Sequence, residues 1–522
     1  MNFELIKNNI IEYINEIKAM DRKVLFRRFC SVWAVIYFLS FLLLLGALAY
    51  ADILPAGYLY PLLVAVALIS MIIFPLLYFD YIKENRKLIA LIVSVVLMIV
   101  YSVAEINLKD TADFFSRVTN VSMQTEEFYV LTAESRDLNR IEDVDKKLVG
   151  TYDVRGGLYK TARESLASRV NVEYQMCENL SDMYKGLMEG SSDAIFLSEA
   201  HYDTMRENEK NFRKNTKVLY TMKIDVTGED TTKRVGVTQE PFNVFVSGLD
   251  TSGDITEVSR SDVNMVVTVN PQTHTVLLTS IPRDMQIQMP SYYDANDKLT
   301  HTGIYGVQET IKSVEKLMGI DINYYVKVNY STVTRLIDSI GGIDVVSDYA
   351  FETHGQKYYK FKKGKNHLNG KEALAFARER KAFEQGDVQR NIDQAKVMEA
   401  VLKKVTGSAT ILSKYRKILR SVKDYMEMNF SGTEVRALVK MQLEGAYKWT
   451  IKKQNITGYG GMDTCYSSGS YVLYVMYPDQ DTVTQAAANV KNVFEGRKIK
   501  KIQKEEPADL EEGSAETTES TE

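Results

Sequence analysis

Over the first hundred residues, apolar positions fall into three long runs with polar residues gathered between them. The runs, about Val32 to Tyr50, Tyr58 to Phe79 and Leu88 to Ala104, are each near the length that crosses a ~30 Å hydrocarbon layer at ~1.5 Å of rise per residue. They predict three transmembrane helices. A buried helical core would not require three such runs so close together. A cleavable signal peptide fits poorly, because a polar lead of about thirty residues comes first and two further apolar runs follow. Within that lead, Ile6, Ile10, Ile14 and Ile17 recur at helical spacing, which suits either an amphipathic helix on the inner leaflet or a solvated segment packed on a neighbour.

Beyond residue 110 the pattern turns globular. From Phe128 to about Tyr220, strand-like runs (FYVLTAE, LVGTYD, NVEYQMC, DAIFLSE) alternate with helix-like stretches (TARESLASR, LSDMYKGLMEG), an α/β arrangement somewhat like one lobe of a solute-binding protein. No residue there carries a specific chemical signal, which favours a spacer or interaction role. The polar stretch KIDVTGEDTTKRVGVTQEPFN reads as a linker or exposed hairpin. A second α/β region opens near Phe242 with strand candidates FNVFVSGLD, NMVVTVNP and HTVLLTSIP, the last two parted by Asn270 and Pro271. Ile304, Val307, Ile311, Val314 and Met318 share a helical face that Gly319 ends. A strand (NYYVKVN), a helix (TVTRLIDSI) and another strand (IDVV) come next, which predicts a mixed central sheet flanked by helices. The last eighteen residues hold eight acids and no base, the composition of a disordered tail. The expected fold class is α/β: 1–29 a cytoplasmic lead, 30–105 three transmembrane helices, 110–232 a small accessory domain, 240–500 the larger domain and 501–522 the tail.

Charge orients this plan. Lys18, Arg22, Lys23, Arg27 and Arg28 precede the first run, Lys83, Arg86 and Lys87 separate the second from the third, and the loop from Ala51 to Gly57 has no Lys or Arg. Positive flanks stay in the cytoplasm, so the amino terminus is expected inside and both α/β domains outside, in a multi-pass membrane protein. The net charge of -4 gives no basic field for nucleic acid. The three cysteines form no CxxC, and the sequence lacks a P-loop, GxGxxG, HExxH and GxSxG. His301 reads as a structural, hydrogen-bonded histidine.

Several charged residues stand at strand and helix ends. Asp250 closes FNVFVSGLD, Asp262 sits just before VNMVVTV, and Arg283 with Asp284 follow TVLLTSIP, at the sheet edge where α/β proteins bind ligands. Arg378 and Arg380 would diverge by ~200° on a helix but share a face in extended chain, so the helix LNGKEALAFA must end near them if both serve one ligand. Arg390 and Gln394 lie at i and i+4 on the next helix, marked by the stripe Val388, Ile392, Ala395, Met398 and Leu402. Guanidinium groups match phosphate oxygens, and two aspartates among them suit a bridging magnesium ion. On spacing alone, a set of surface salt bridges such as Arg260 with Asp262 fits as well.

In order, SGLD, SRSD, SIPRD, DKLTHTGIYG, GKNHLNGKEALAFARER and GDVQRNIDQ resemble the segments of the LytR-CpsA-Psr family of cell-wall glycopolymer ligases, from about Phe242 to Thr406. The three apolar runs and the intermediate domain resemble its capsule-associated CpsA branch. The resemblance implies a membrane-anchored phosphotransferase that moves a capsular or teichoic-acid type glycopolymer from a polyprenyl pyrophosphate carrier to peptidoglycan. It implies Mg2+ on Asp250 and Asp262, and pyrophosphate on Arg260, Arg283, Lys298, Arg378, Arg380, Arg390 and Gln394. Arg283, Asp284 and Arg260 would form the catalytic set, with Asp284 orienting an arginine rather than taking a proton, and an apolar groove would hold the prenyl chain. Membrane lipid and capsule or wall assembly proteins are the implied partners, without nucleic acid. Some branches carry an arginine where this chain has Asp393, which leaves the charge balance open. Two other readings remain, a wall-binding module without turnover and a regulator of the transcription-attenuator type.

Overall fold

The computed structural model describes residues 21–51, 56–118, 123–152, 157–227, 230–251, 255, 259–354, 358–407, 418, 421–469 and 471–500. The isoleucine stripe of the lead and the acidic tail lie outside the described residues.

Three helices, α1 (Arg22–Ala51), α2 (Ala56–Tyr78) and α3 (Glu84–Val118), follow the three apolar runs, and each holds a stretch long and apolar enough to cross a membrane. Their outer faces carry exposed Leu43, Met71 and Ile72, surface that hydrocarbon covers at no cost. Inside the bundle a few polar groups tie the helices: Tyr37 Oη lies 3.0 Å from Ser70 Oγ, and Trp33 Nε1 donates to Ser94 Oγ at 2.8 Å. Lys87 donates to the Leu77 carbonyl at 2.7 Å, satisfying a carbonyl at the end of α2. Helix α3 runs on to Val118, so residues 110–118, expected in the accessory domain, are helical.

The smaller α/β unit contains β1 (Met123–Ala133), β2 (Leu148–Tyr152), β3 (Glu173–Cys177), β4 (Ala194–Ser198), the helix α4 (Glu199–Asn208) and β5 (Thr216–Thr227), in the order β3-β2-β4-β1-β5. Phe128, Val130, Ile195, Phe196 and Leu197 are fully buried at its centre. The stretch KIDVT, read as the start of a linker, instead completes β5 and pairs with β1 from Met123 to Glu127. A long antiparallel partner satisfies its backbone groups, and that long-range pairing overrides its polar composition.

The larger unit is built on a mixed six-stranded sheet. Its strands are β6 (Phe242–Leu249), β7 (Ser261–Asn270), β8 (Thr275–Ile281), β9 (Tyr324–Val328), β10 (Met426–Met428) and β11 (Thr450–Asn455), in the order β10-β9-β6-β7-β8-β11. Alternation along the strands sends Phe245, Val266 and Leu277 to one face, under α5 (Val307–Met318) and α9 (Gln480–Phe494), with Val244, Val246 and Met265 on the other. Full burial of each such side chain contributes ~1.5–3 kcal/mol. That second face is covered by α6 (Tyr330–Ser339), with α7 (Gly370–Arg378) packed against it, and by α8 (Asp387–Val405). Because β7 is antiparallel to both β6 and β8 while β9 is parallel to β6, the carboxyl ends of β6, β8 and β9 meet the amino end of β7 at one sheet edge.

Candidate functional site

Every charged residue singled out in the sequence lies at that edge. Asp250 follows β6, Asp262 is the second residue of β7, and Arg283 and Asp284 follow β8. Helix α7 starts with a reciprocal cap, Asn369 Oδ1 accepting from the Glu372 amide at 3.0 Å and Glu372 Oε2 from the Asn369 amide at 2.9 Å. It stops at Arg378, with Glu379 extended at φ -67, ψ 134, the exit that serving one ligand with Arg378 and Arg380 demands. Buried Glu379 organises the loop by accepting from the amides of Arg380 and Ala382, both at 3.0 Å, and of His354 at 2.6 Å. Burial opposes its charge, but these amides outweigh that and hold its pKa below the usual range. Gly386, at φ 47 and ψ -111, then turns the chain into α8; that backbone conformation is open to glycine and strained for other residues.

At the centre is a carboxylate that the sequence reading passed over. Asp387 Oδ2 lies 3.0 Å from Arg390 Nη2 and 3.3 Å from Arg283 Nε, and its Oδ1 lies 3.9 Å from Arg380 Nη1. Arg283 also donates to Asp262 at 3.0 and 3.1 Å. Burial disfavours its charge, yet Asp262, Asp284 and Asp387 together raise its pKa further above the ordinary arginine value. Arg390 is shifted the other way, by burial first and then by Arg283. The buried Nε atoms of Arg283 and Arg390 make no hydrogen bond, although Arg283 Nε keeps its ionic contact with Asp387. Asp284 sits between two cations, 3.6 Å from Arg283 Nε and 3.2 Å from Lys298 Nζ. Asp250 accepts from the Tyr330 hydroxyl and lies 3.7 Å from Arg378 Nη2, whose guanidinium stacks 4.2 Å above the Tyr330 ring. Tyr330 was another omission; it follows NYYVKVN, and only the sheet register places it beside Asp250.

Two cavities meet at these side chains. One, of about 310 Å³, runs between the sheet and helices α6, α7 and α8, with walls that include Val246, Met265, Leu336, Val397 and Val401. The other, of about 370 Å³, is polar and takes in Arg260, Asp284, Lys298, Thr300 and His301. Asp250, Asp262, Arg283 and Arg380 border both; Arg378, Arg390 and Gln394 border the first. The ten residues singled out in the sequence therefore all line one or both of two cavities that share four of them.

Two contacts bear on alternatives that the sequence left open. Arg260 does not bridge to Asp262; its Nη2 lies 3.4 Å from Thr204 Oγ1 in the smaller unit, and Arg283 takes Asp262. Asp393 leaves the site's charge balance alone, since it accepts from Gln389 at 3.1 Å and Lys396 at 2.9 Å. His301 is hydrogen-bonded as expected, with Nδ1 2.9 Å from both Asp297 Oδ1 and Ser467 Oγ. Asp297, His301 and Cys465 are close enough to share a cation. However, Asp297 already accepts from the Ser467 and Lys298 amides, each at 2.7 Å, and burial pushes the Cys465 thiol up to about 12. That trio is a structural network.

A sequence model of the LytR_cpsA_psr family matches residues 196–489, more than half of the chain. The chain is 32% identical over 262 residues to the "Polyisoprenyl-teichoic acid--peptidoglycan teichoic acid transferase TagU" of Halalkalibacterium halodurans, covering 49% of this chain and 80% of that protein. It is 36% identical over 193 residues to the protein of the same name from Bacillus mycoides, covering 37% of this chain but only 61% of that relative's length. The crystal structure of TagV from B. subtilis covers 50% of this chain and 99% of its own, at 29% identity and a TM-score of 0.41. By the extent of the family match and the share of the H. halodurans protein covered, the chain belongs to the LytR-CpsA-Psr family.

Proposed function

We propose that the protein is a membrane-anchored phosphotransferase that moves a glycopolymer from a polyprenyl pyrophosphate carrier to peptidoglycan. The observation that carries this reading is the shared arginine border: aliphatic walls on one side, a polar cavity on the other, and Arg283 and Arg380 between them. A polyprenyl chain suits the first cavity, its pyrophosphate the border, and the sugar the second. Relatives named as teichoic acid transferases support the same assignment.

The acceptor hydroxyl oxygen attacks the phosphorus that bears the glycopolymer. The new P–O bond forms as the bond to the bridging oxygen breaks, polyprenyl phosphate leaves, and the hydroxyl proton passes to solvent or to the leaving phosphate. Arg283, Arg380 and Arg390 neutralise equatorial and leaving-group oxygens, and Arg378 holds the outer phosphate. Asp284, held between Arg283 and Lys298, positions those cations; a carboxylate so paired is a weak base. Asp250 and Asp262 offer hard oxygen donors at the border and would hold a magnesium ion, which supplies further charge neutralisation when bound. The positive flanks of the apolar helices support a cytoplasmic amino terminus with both α/β units outside.

Purified protein given a lipid-pyrophosphate oligosaccharide, a glycan acceptor and magnesium should yield ligated glycan, and Arg283→Ala or Arg378→Ala should reduce the rate at least ~100-fold. Binding of the lipid without product would show a wall-binding module, and wild-type rates in both variants would remove the site assignment.

A further inference from the structure

The polar cavity has a wall that does not come from the larger unit. Thr204 and Asn208, one turn apart on α4, line it together with Arg283, Asp284, Lys298 and Arg380. Thr204 lies against Arg260, as described above, and Asn208 Nδ2 donates to the Thr204 carbonyl at 2.8 Å.

The junction between the units fixes this helix. Tyr152 Oη donates to the Tyr466 carbonyl at 2.9 Å, and the Tyr471 hydroxyl donates to Glu209, the residue that ends α4. Tyr292, Tyr305 and Tyr471 of the larger unit pack onto the core of the smaller one. Gly469, at φ 60, approaches so closely that a Cβ there would come 2.6 Å from the Asn179 Cβ. An aromatic junction with a glycine contact holds α4 in register with the charged wall.

The two walls differ in chemistry. Arginine, lysine and aspartate recognise phosphate and its counter-ions. An amide and a hydroxyl carry no net charge and can both donate and accept, which suits the hydroxyl and acetamido groups of a neutral sugar. We propose that α4 is a sugar subsite, with Asn208 contacting a neutral pyranose next to the pyrophosphate and the buried Thr204 hydroxyl holding Arg260 beside it. This rests on the transferase reading and gives the smaller unit a direct part in choosing the glycan. The pyranose belongs either to the donor, attached to the pyrophosphate, or to the acceptor chain.

The full-length protein in detergent is titrated with farnesyl pyrophosphate, farnesyl-pyrophosphoryl N-acetylglucosamine and a β-1,4-linked N-acetylglucosamine tetrasaccharide. Asn208→Ala should weaken a sugar-bearing probe about threefold to tenfold, the worth of a neutral hydrogen bond, and leave farnesyl pyrophosphate unchanged. A loss on the pyrophosphoryl sugar assigns the subsite to the donor, and a loss on the tetrasaccharide assigns it to the acceptor. If Asn208→Ala melts early, Asn208→Gln decides: a changed sugar affinity supports the subsite, an unchanged one overturns it. Wild-type affinities for both sugar probes in Asn208→Ala and Thr204→Val, or no binding of either sugar probe by the native protein, overturn the inference. The transferase reading fails separately, when Arg378→Ala leaves farnesyl pyrophosphate affinity unchanged.

Discussion

Asp387 is the one carboxylate within 4 Å of Arg283, Arg380 and Arg390 together among the described residues, and Asp387→Asn isolates its charge with almost no change in shape. Arg380 is half-exposed, so its share is screened and small. Arg390 and Arg283 are largely buried, and removing one partner of such a pair costs about 3–5 kcal/mol when the other charge is left uncompensated. Asp262 and Asp284 still face Arg283, which brings the expected loss to about 2–4 kcal/mol. For a unit of roughly 250 residues each kcal/mol moves the melting temperature by ~2–4 °C, so the larger unit should melt roughly 4–16 °C earlier. The informative measurement is the same melt with farnesyl pyrophosphate. Its phosphates would supply the negative charge the variant lacks, so ligand should raise the variant's melting temperature by more than it raises that of the native protein. A variant that melts as the native protein does, or gains less from the ligand, would refute the view that Asp387 holds the arginines in place before substrate arrives.

Four further outcomes follow from the geometry. Gly386→Ala should strain the turn between the two arginine groups and lower pyrophosphate affinity about tenfold with little loss of secondary structure, read by calorimetry and circular dichroism. Val333 on α6 also lines the apolar cavity, and Val333→Trp should obstruct it and weaken a long prenyl pyrophosphate while sparing inorganic pyrophosphate; equal losses on both would place the prenyl chain elsewhere. Burial, reinforced by Glu199 and opposed by a Ser198 hydrogen bond, pushes Glu126 up to about 8 from 4.5. The unfolded chain therefore binds fewer protons between those values, and stability falls as pH rises across them. Burial holds His201 down to about 4 from 6.5, which gives the opposite slope below pH 6.5. The net decline of the smaller unit should show between pH 6.5 and 8 and disappear in Glu126→Gln, followed by melting across that range. Removing divalent metal with a chelator should suppress turnover and leave melting unchanged, with magnesium restoring the rate; full turnover in chelator would remove the metal assignment from Asp250 and Asp262.

Much of this site was legible because its residues stand where chain geometry changes. Arg378 and Arg380 require a helix end between them, and the structure ends α7 at Arg378; Arg390 and Gln394 needed only helical spacing. Asp387 carried a readable signal too, three residues before Arg390 at the start of a helix. An acid in the first turn of a helix is also common without any ligand, where it faces the helix dipole, so its place beside Arg283 and Arg380 shows only in the folded chain. Tyr330, Thr204 and Asn208 had no such signal, since strand register and the packing of two units bring them in. In the fold, periodicity found the apolar helices and most strands. It misjudged KIDVT because a polar strand is held by its partner's backbone rather than by its own side chains.

The shared border of the two cavities repeats, within one protein, the order of a membrane surface: hydrocarbon, then a charged layer, then a polar compartment. Moving a prenyl chain from lipid into water costs about 0.8 kcal/mol per CH2. On the proposed function, a cavity walled by Val246, Met265, Leu336 and Val401 would offer that chain surroundings of bilayer-like polarity, and most of that cost would be avoided. Lipid extraction would then approach an exchange between two similar phases, with the arginine layer deciding which phase holds the pyrophosphate.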